Sequence, residues 1–242
     1  MALPKLNESI KYELTLPSTG ETVHFRPYLV KEEKVLMQAL ETGGPLDHIN
    51  AVLNTLSACI DEPLNLKELA TFDLDYMFLK LRAKSVGEIV NLNFKCNNEE
   101  CNQANGPIAI NLEEVEMTNL ENANKVIEIS DGVSIEMKSP SYKQLSKLNI
   151  DDENAADTTE NIFKMITSSI FAIVTQEERI LASDCTEKEL DEFIESMNSA
   201  QFKKISEFLE SMPELSKTVE FKCVSCKKHN KQVIKGLQSF FA

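Results

Sequence analysis

Four of the six cysteines in this 242-residue chain fall in two short pairs. Cys96 and Cys101 lie in "FKCNNEEC", and Cys223 and Cys226 form C-x-x-C in "FKCVSCKKHN". Both stretches open Phe-Lys-Cys, and each pair stands between strand-like runs, with "PIAINL" after the first and "KQVIKGL" after the second. A tight turn aims two thiolates at one point, and two such turns supply the four ligands of tetrahedral zinc. The spacing therefore predicts one zinc held by Cys96, Cys101, Cys223 and Cys226. The long separation is tolerable because loop-closure entropy grows slowly with length. Free thiols or disulfides are the alternative, and His229 is a possible substitute ligand. Cys59, in an apolar helical stretch, and Cys185, before a helix cap, read as packing or surface residues. A closed four-thiolate site offers no coordination position to water or substrate, so its expected role is structural, tying the middle of the chain to its C-terminus.

Other chemistry is sparse. The three histidines sit in no H-E-x-x-H motif, and the chain has no G-x-S-x-G elbow, Walker loop or dinucleotide fingerprint. The acidic runs "DDEN" and "LDEFIE" read as solvated charge. The expectation is no catalytic residue, no small-molecule substrate and no enzyme. A net charge of −14 repels phosphate backbones. The locally basic "KCVSCKKHNKQVIK" keeps one alternative open, a zinc-ribbon nucleic-acid-binding or transcription accessory protein. Against it, Glu99 and Glu100 mix the charge at the shared tip, and aromatic residues for base stacking are missing. No apolar run approaches the length of a membrane span. "MALPKLNESIKYEL" lacks the basic start and apolar stretch of a signal peptide. A reducing cytoplasm is the expected compartment, where paired cysteines are more often metal ligands than disulfides.

The elements that must position the cysteines can be read on either side of them. "YELTL" and "TVHF" alternate around "PSTGE" and predict a β-hairpin turning at Gly20. Val30, Val35, Leu36 and Leu40 predict the apolar face of a helix ended by "TGG". Pro45 starts a second helix carrying Leu46, Ile49, Val52, Leu53, Leu56 and Ile60. "NLKE" at Asn65–Glu68 resembles a cap. "FDLDYMFLKLRAKSVGE" predicts a core helix capped by Asp73 or Asp75, with Leu74, Phe78 and Leu81 inward and a stop at Gly87. "IVNLNF" then leads as a strand into Cys96. The order recurs: a hairpin through Asp131-Gly132, "KSPSYKQLSKL", an acidic loop at Asp151–Asp157, and a helix over "TENIFKMITSSIFAIV" with Phe163, Ile166, Ile170 and Ile173 in one stripe. A capping box at Thr186 and Glu189 opens the next helix. The last helix, "SAQFKKISEFLESM", turns Phe202, Ile205 and Leu209 inward, and the strand "KTVEFKC" enters the second pair. The fold class predicted is α+β, a helical body with small antiparallel hairpins and a zinc-ribbon-like element. The division is residues 1–112 and 113–242, each ending in helices and a cysteine knuckle, as one intertwined unit joined by the metal.

"MALPKLN", "YELTLPSTGETVHFRPYLVKEEKVLMQALE" and "FDLDYMFLKLRAKSVGE" resemble the baseplate hub assembly proteins of T-even-like contractile-tailed phages, most clearly over residues 1–95. The resemblance implies a non-enzymatic hub component or hub assembly factor whose partners are other phage baseplate hub proteins. It would act in the host cytoplasm during assembly or in the virion tail. It also makes Tyr28, Lys31, Glu32, Glu33, Arg82, Lys84, Ser85 and Glu88 candidates for partner contact. The apolar ending "LQSFFA" adds Phe240 and Phe241 as candidate anchors, with docking onto the protein's own core as the alternative.

Overall fold

A computed structural model describes residues 10–42, 44–146 and 159–240. The acidic loop at Asp151–Asp157 and the side chain of Phe241 lie outside the described residues. The chain opens with the hairpin β1 (Tyr12–Thr15) and β2 (Thr22–Phe25), which pairs Tyr12 with Phe25. Three helices follow: α1 (Val30–Thr42), α2 (Pro45–Cys59) and α3 (Thr71–Val86). Leu14, Leu16, Val23 and Phe25 of the hairpin meet Leu53 and Leu56 of α2 and Leu74, Met77, Phe78 and Leu81 of α3 in a first core. Residues at i, i+4 and i+7 lie on one helical face, so Leu74, Phe78 and Leu81 are buried together as their spacing predicts.

Three details differ from expectation. Neither Asp73 nor Asp75 caps α3, because the helix begins earlier, after Ala70, which supplies no side-chain bond. Asp73 is instead fully buried and accepts a hydrogen bond from the Ser18 N–H at 3.0 Å, holding the turn of the hairpin. Asn65 does stand at the cap position of the 3-10 turn Leu66–Glu68, but only its carbonyl accepts there, from the Glu68 N–H, and its side chain makes no capping bond. The face drawn along α1 is also wrong: Val30, Val35 and Leu40 are exposed, and only Leu36 reaches the first core. Glu32 docks this helix. Its buried carboxylate accepts from Arg26 Nη2 and from the Leu29 N–H, both at 2.8 Å. Arg26 also donates to the Ala58 carbonyl at 2.9 Å, which ties α1 to the end of α2.

The next elements carry the cysteines. Strands β3 (Ile89–Lys95) and β4 (Ala104–Asn111) form an antiparallel hairpin, and β5 (Glu116–Thr118) leaves it. A four-stranded sheet in the order β6-β7-β8-β9 comes from β6 (Asn124–Ser130), β7 (Val133–Lys138), β8 (Ile170–Val174) and β9 (Arg179–Leu181). Gly132 makes the β6–β7 turn with φ of 76°, a left-handed conformation open to glycine. The short helix α4 (Tyr142–Leu145) and α5 (Thr159–Ser169) precede β8. The helix expected through Val174 thus stops at Ser169. "IFAIV" is β-branched and pairs with β7, so tertiary pairing overrides a spacing that fits both states. The helices α6 (Glu187–Glu195) and α7 (Ser199–Glu210) cover the sheet, α6 with the expected Thr186–Glu189 capping box. Ile166, Ile194, Ile205 and Phe208 join Ile127, Ile135 and Met137 in a second core.

Strands β10 (Glu214–Lys222) and β11 (His229–Lys235) close the chain as a hairpin whose sheet runs β11-β10-β5. The pairing of β5 with β10, Leu215 opposite Met117, brings the middle and the end of the chain into one sheet. Leu79 and Ala83 of α3 pack on both cysteine hairpins through Val90, Leu92, Ile110, Val219 and Ile234. Phe240 lies wholly inside this core, at 0% exposure, so the structure shows the docked alternative for that ring. Among the described residues, no helix is long and apolar enough to cross a membrane.

Candidate metal centre

Both cysteine pairs sit in the turns of antiparallel hairpins, and the turns are built alike. In the first, the Cys96 N–H donates to the Gln103 carbonyl at 2.9 Å; in the second, the Cys223 N–H donates to the Lys228 carbonyl at the same distance. The residue after the second cysteine is left-handed in both, Asn102 with φ 41° and Lys227 with φ 58°. Each of these residues donates its N–H to the carbonyl four positions back, Asn98 or Cys223. The repeated Phe-Lys-Cys opening therefore marks two related turns, of which the first, closed from Cys96 to Gln103, is longer than the second, closed from Cys223 to Lys228. Phe94 and Phe221 contact each other with ring centroids 5.7 Å apart.

This arrangement brings the four predicted thiols together. The sulfurs of Cys96, Cys101, Cys223 and Cys226 all lie within 4.8 Å of one another. Two contacts cross between the knuckles, Cys96 to Cys226 at 3.6 Å and Cys101 to Cys223 at 3.8 Å. A tetrahedral site with zinc–sulfur bonds of about 2.3 Å has sulfur–sulfur edges of about 3.8 Å, so both cross-contacts fit such an ion. All four cysteines are free thiols, which sets aside the disulfide alternative for this structure. His229 lies on an exposed strand position and is not one of the four clustered groups. Cys59 is buried in the first core, where burial pushes its thiol up to about 11. Cys185 is half-buried beside the second core.

Backbone dipoles prepare the second knuckle for thiolate chemistry. Burial alone would raise the Cys223 thiol, but the N–H groups of Cys226 and Ser225 directed at its sulfur, together with the neighbouring Cys226 and Cys96 thiols, outweigh burial and draw it down to about 6. The Lys228 N–H lowers the Cys226 thiol in the same way. Cys96 behaves oppositely. The Asn98 N–H lowers its thiol, yet burial and the neighbouring Cys226 and Cys223 raise it overall. Several sulfurs so close cannot all ionise without a compensating cation. A divalent ion would supply that compensation, and the donor set of four thiols suits zinc or another soft metal.

Two further residues escape a search for ligands. Asn105 on β4 and Asn230 on β11 are both 3% exposed. Asn105 stands opposite Phe94 in its hairpin, and Asn230 stands opposite Phe221 in the other. Their sequence signal is a shared C-x-x-x-N, "CNQAN" and "CKKHN". Gly106 permits the irregular register beside Asn105. Its φ is 147°, and a Cβ there would stand 2.8 Å from the Leu92 carbonyl oxygen.

The other candidate residues make contacts within the chain, from buried Glu32 to exposed Lys31. The Tyr28 N–H donates to Ser85 Oγ at 2.9 Å, and its half-buried ring packs on the first core. Ser85 Oγ donates in turn to the Leu81 carbonyl. Arg82 donates to the Gly87 carbonyl at 3.2 Å. Lys84 pairs with Glu88 at 2.6 Å and Glu113 at 3.0 Å. Glu32 is the buried partner of Arg26, while Lys31 reaches Glu32 from an exposed position. The "RP-aromatic-LVKEEK" and "KSVGE" segments thus hold the first hairpin, α1 and α3 together.

Fold and site define a mixed helix-and-sheet protein whose cysteine hairpins, distant in sequence, share one cluster of four thiols. Residues 9–242 match the family described as T4 bacteriophage base plate protein, and the chain belongs to that family. It is a phage baseplate protein, and other baseplate proteins are its partners. No curated protein and no solved structure matches it.

Proposed function

We propose that this chain is a non-enzymatic component or assembly factor of the baseplate hub, built around one structural zinc and acting through contacts with other hub proteins. The observation that carries this reading is the family match over nearly the whole chain. The four-thiol cluster supports the metal part. Bound there, a zinc ion would neutralise the thiolates and cross-link β3–β4 to β10–β11 as a ribbon of two knuckles. Residues 1–112 and 113–242 would then form one intertwined unit, a reading that the β5–β10 pairing supports. Assembly in the host cytoplasm followed by residence in the tail fits a baseplate part.

Partner contact is best supported on α1. Val30, Met37 and Leu40 are 79%, 54% and 69% exposed, beside Lys31. Exposed apolar side chains supply affinity, whereas flanking charges set rate and specificity. The nucleic-acid alternative draws little support from the ribbon's lysines, because Lys217 pairs with Glu114, Lys231 with Glu220 and Lys235 with Glu214. The test is recovery of tagged protein from infected cells, followed by mass spectrometry of assembly intermediates and finished particles. Hub proteins should co-purify, and Met37→Glu should reduce their recovery while the protein stays folded. Recovery of nucleic acid without any baseplate protein would reject the reading.

A further inference from the structure

Each cysteine hairpin reaches across and holds the other through one buried asparagine. Asn230 Oδ1 accepts the N–H of Asn97, the residue after Cys96, at 2.7 Å. Asn105 Oδ1 accepts the N–H of Val224, the residue after Cys223, at 2.8 Å. The second end of each amide stays at home: Asn105 Nδ2 donates to the Gln103 carbonyl at 2.7 Å, and Asn230 Nδ2 donates to the Lys228 carbonyl at 2.9 Å. Gln103 and Lys228 are the residues whose carbonyls close the two cysteine turns. Each asparagine therefore joins the closing residue of its own turn to the first ligand segment of the opposite turn. The two bonds are reciprocal, and in each the accepting asparagine is buried, where an unpaired amide is costly, while the donor belongs to an exposed residue of the turn.

We propose that Asn105 and Asn230 are positioning residues for the metal centre, a reciprocal clamp that sets the two knuckles in register and fixes the affinity for zinc. The inference rests on the reading that the four thiols hold a metal. Without the clamp, the knuckles would be related by the Phe94–Phe221 contact, the packing behind it, and exposed bonds in which Asn97 Nδ2 donates to the Lys231 carbonyl and Gln232 Nε2 donates to the Lys95 carbonyl and Asn97 Oδ1. The cost of bringing four sulfurs to one point would then fall on metal binding. With it, Asn97 and Val224, and hence the adjoining Cys96 and Cys223, are held before the ion arrives. Outer-shell hydrogen bonds of this kind typically change metal affinity by about 10- to 100-fold.

The experiment is a zinc competition titration against a chromophoric chelator on the full chain and on Asn105→Ala and Asn230→Ala, with cobalt substituted in parallel to read the tetrahedral four-sulfur absorption. Each substitution should weaken zinc binding by about 10-fold or more and keep a stoichiometry of one, with the cobalt bands shifted or broadened. Unchanged affinity in both folded variants, even with lower thermal stability, would reduce the asparagines to ordinary structural groups and overturn the clamp alone. Failure of the unsubstituted chain to take up zinc or cobalt would overturn the metal reading beneath it. If the alanine variants do not fold, amide hydrogen exchange of the unsubstituted, metal-stripped chain decides. Slow exchange at Asn97 and Val224, comparable to Cys96 and Cys223, supports the clamp, and rapid exchange at both rejects it.

Discussion

Replacing Phe240 by alanine separates a docked C-terminus from a free anchor. The ring has no exposed surface and sits among Leu79, Val90, Ile110, Val219 and Ile234. A fully buried phenylalanine truncated to alanine typically costs about 3–5 kcal/mol, made of lost transfer energy and the cavity left behind. Phe240 lies in a terminal 3-10 turn, Leu237–Phe240, so the turn can undock rather than keep a cavity. Undocking limits the loss to what the turn contributes, which places the expected cost near the lower end, about 3 kcal/mol. Phe208, equally buried but in the middle of α7, has no such escape and should cost more, about 4–5 kcal/mol. Urea unfolding reads the difference. With a slope of about 2–3 kcal/mol per molar, Phe240→Ala should lower the midpoint by about 1 M or more, and Phe208→Ala further. A Phe240→Ala midpoint within about 0.2 M of the parent would refute the packing argument, because an error of that size is ordinary for a surface substitution.

Two other perturbations test the interior polar groups. Burial pushes the Asp75 carboxyl from 3.8 up to about 7. The folded state thus holds its proton more tightly than the unfolded state, and the stability this gives is present below about pH 4 and lost as pH rises towards 7; Asp75→Asn should flatten that fall in a series of unfolding curves, and an unchanged slope would contradict it. Glu32→Ala leaves Arg26 without its buried carboxylate partner and should destabilise by about 3 kcal/mol in thermal or urea unfolding, whereas a loss under about 0.5 kcal/mol would show that α1 docks by other contacts.

The sequence carried the cysteine cluster more clearly than the helices around it. Paired cysteines between strands have a spacing that geometry dictates, so the four clustered thiols could be read directly, as could the Asp131-Gly132 turn and the Thr186–Glu189 cap. Asn105 and Asn230 were hidden because their bonds cross to a hairpin more than a hundred residues away. Helix α1 misled because its inward anchor is the charged Glu32, which hydropathy assigns to solvent. Strand β8 misled for another reason: Ile170 and Ile173 suit a helical stripe or a buried strand, and only the neighbouring β7 decides between them. Asp73 and Asp75 resembled caps because a carboxylate near a helix start usually is one, yet here the hairpin turn at Ser18 claims Asp73.

The most direct test of the central claim is the metal content of the full chain purified without chelator, measured by elemental analysis beside native mass spectrometry. One zinc per chain is expected, falling to substoichiometric occupancy in Cys96→Ser and Cys223→Ser, with a lowered melting temperature when the parent is stripped by a strong chelator. A folded parent that carries no metal, takes up none when zinc is added under reducing conditions, and melts at the same temperature with or without chelator would contradict the account.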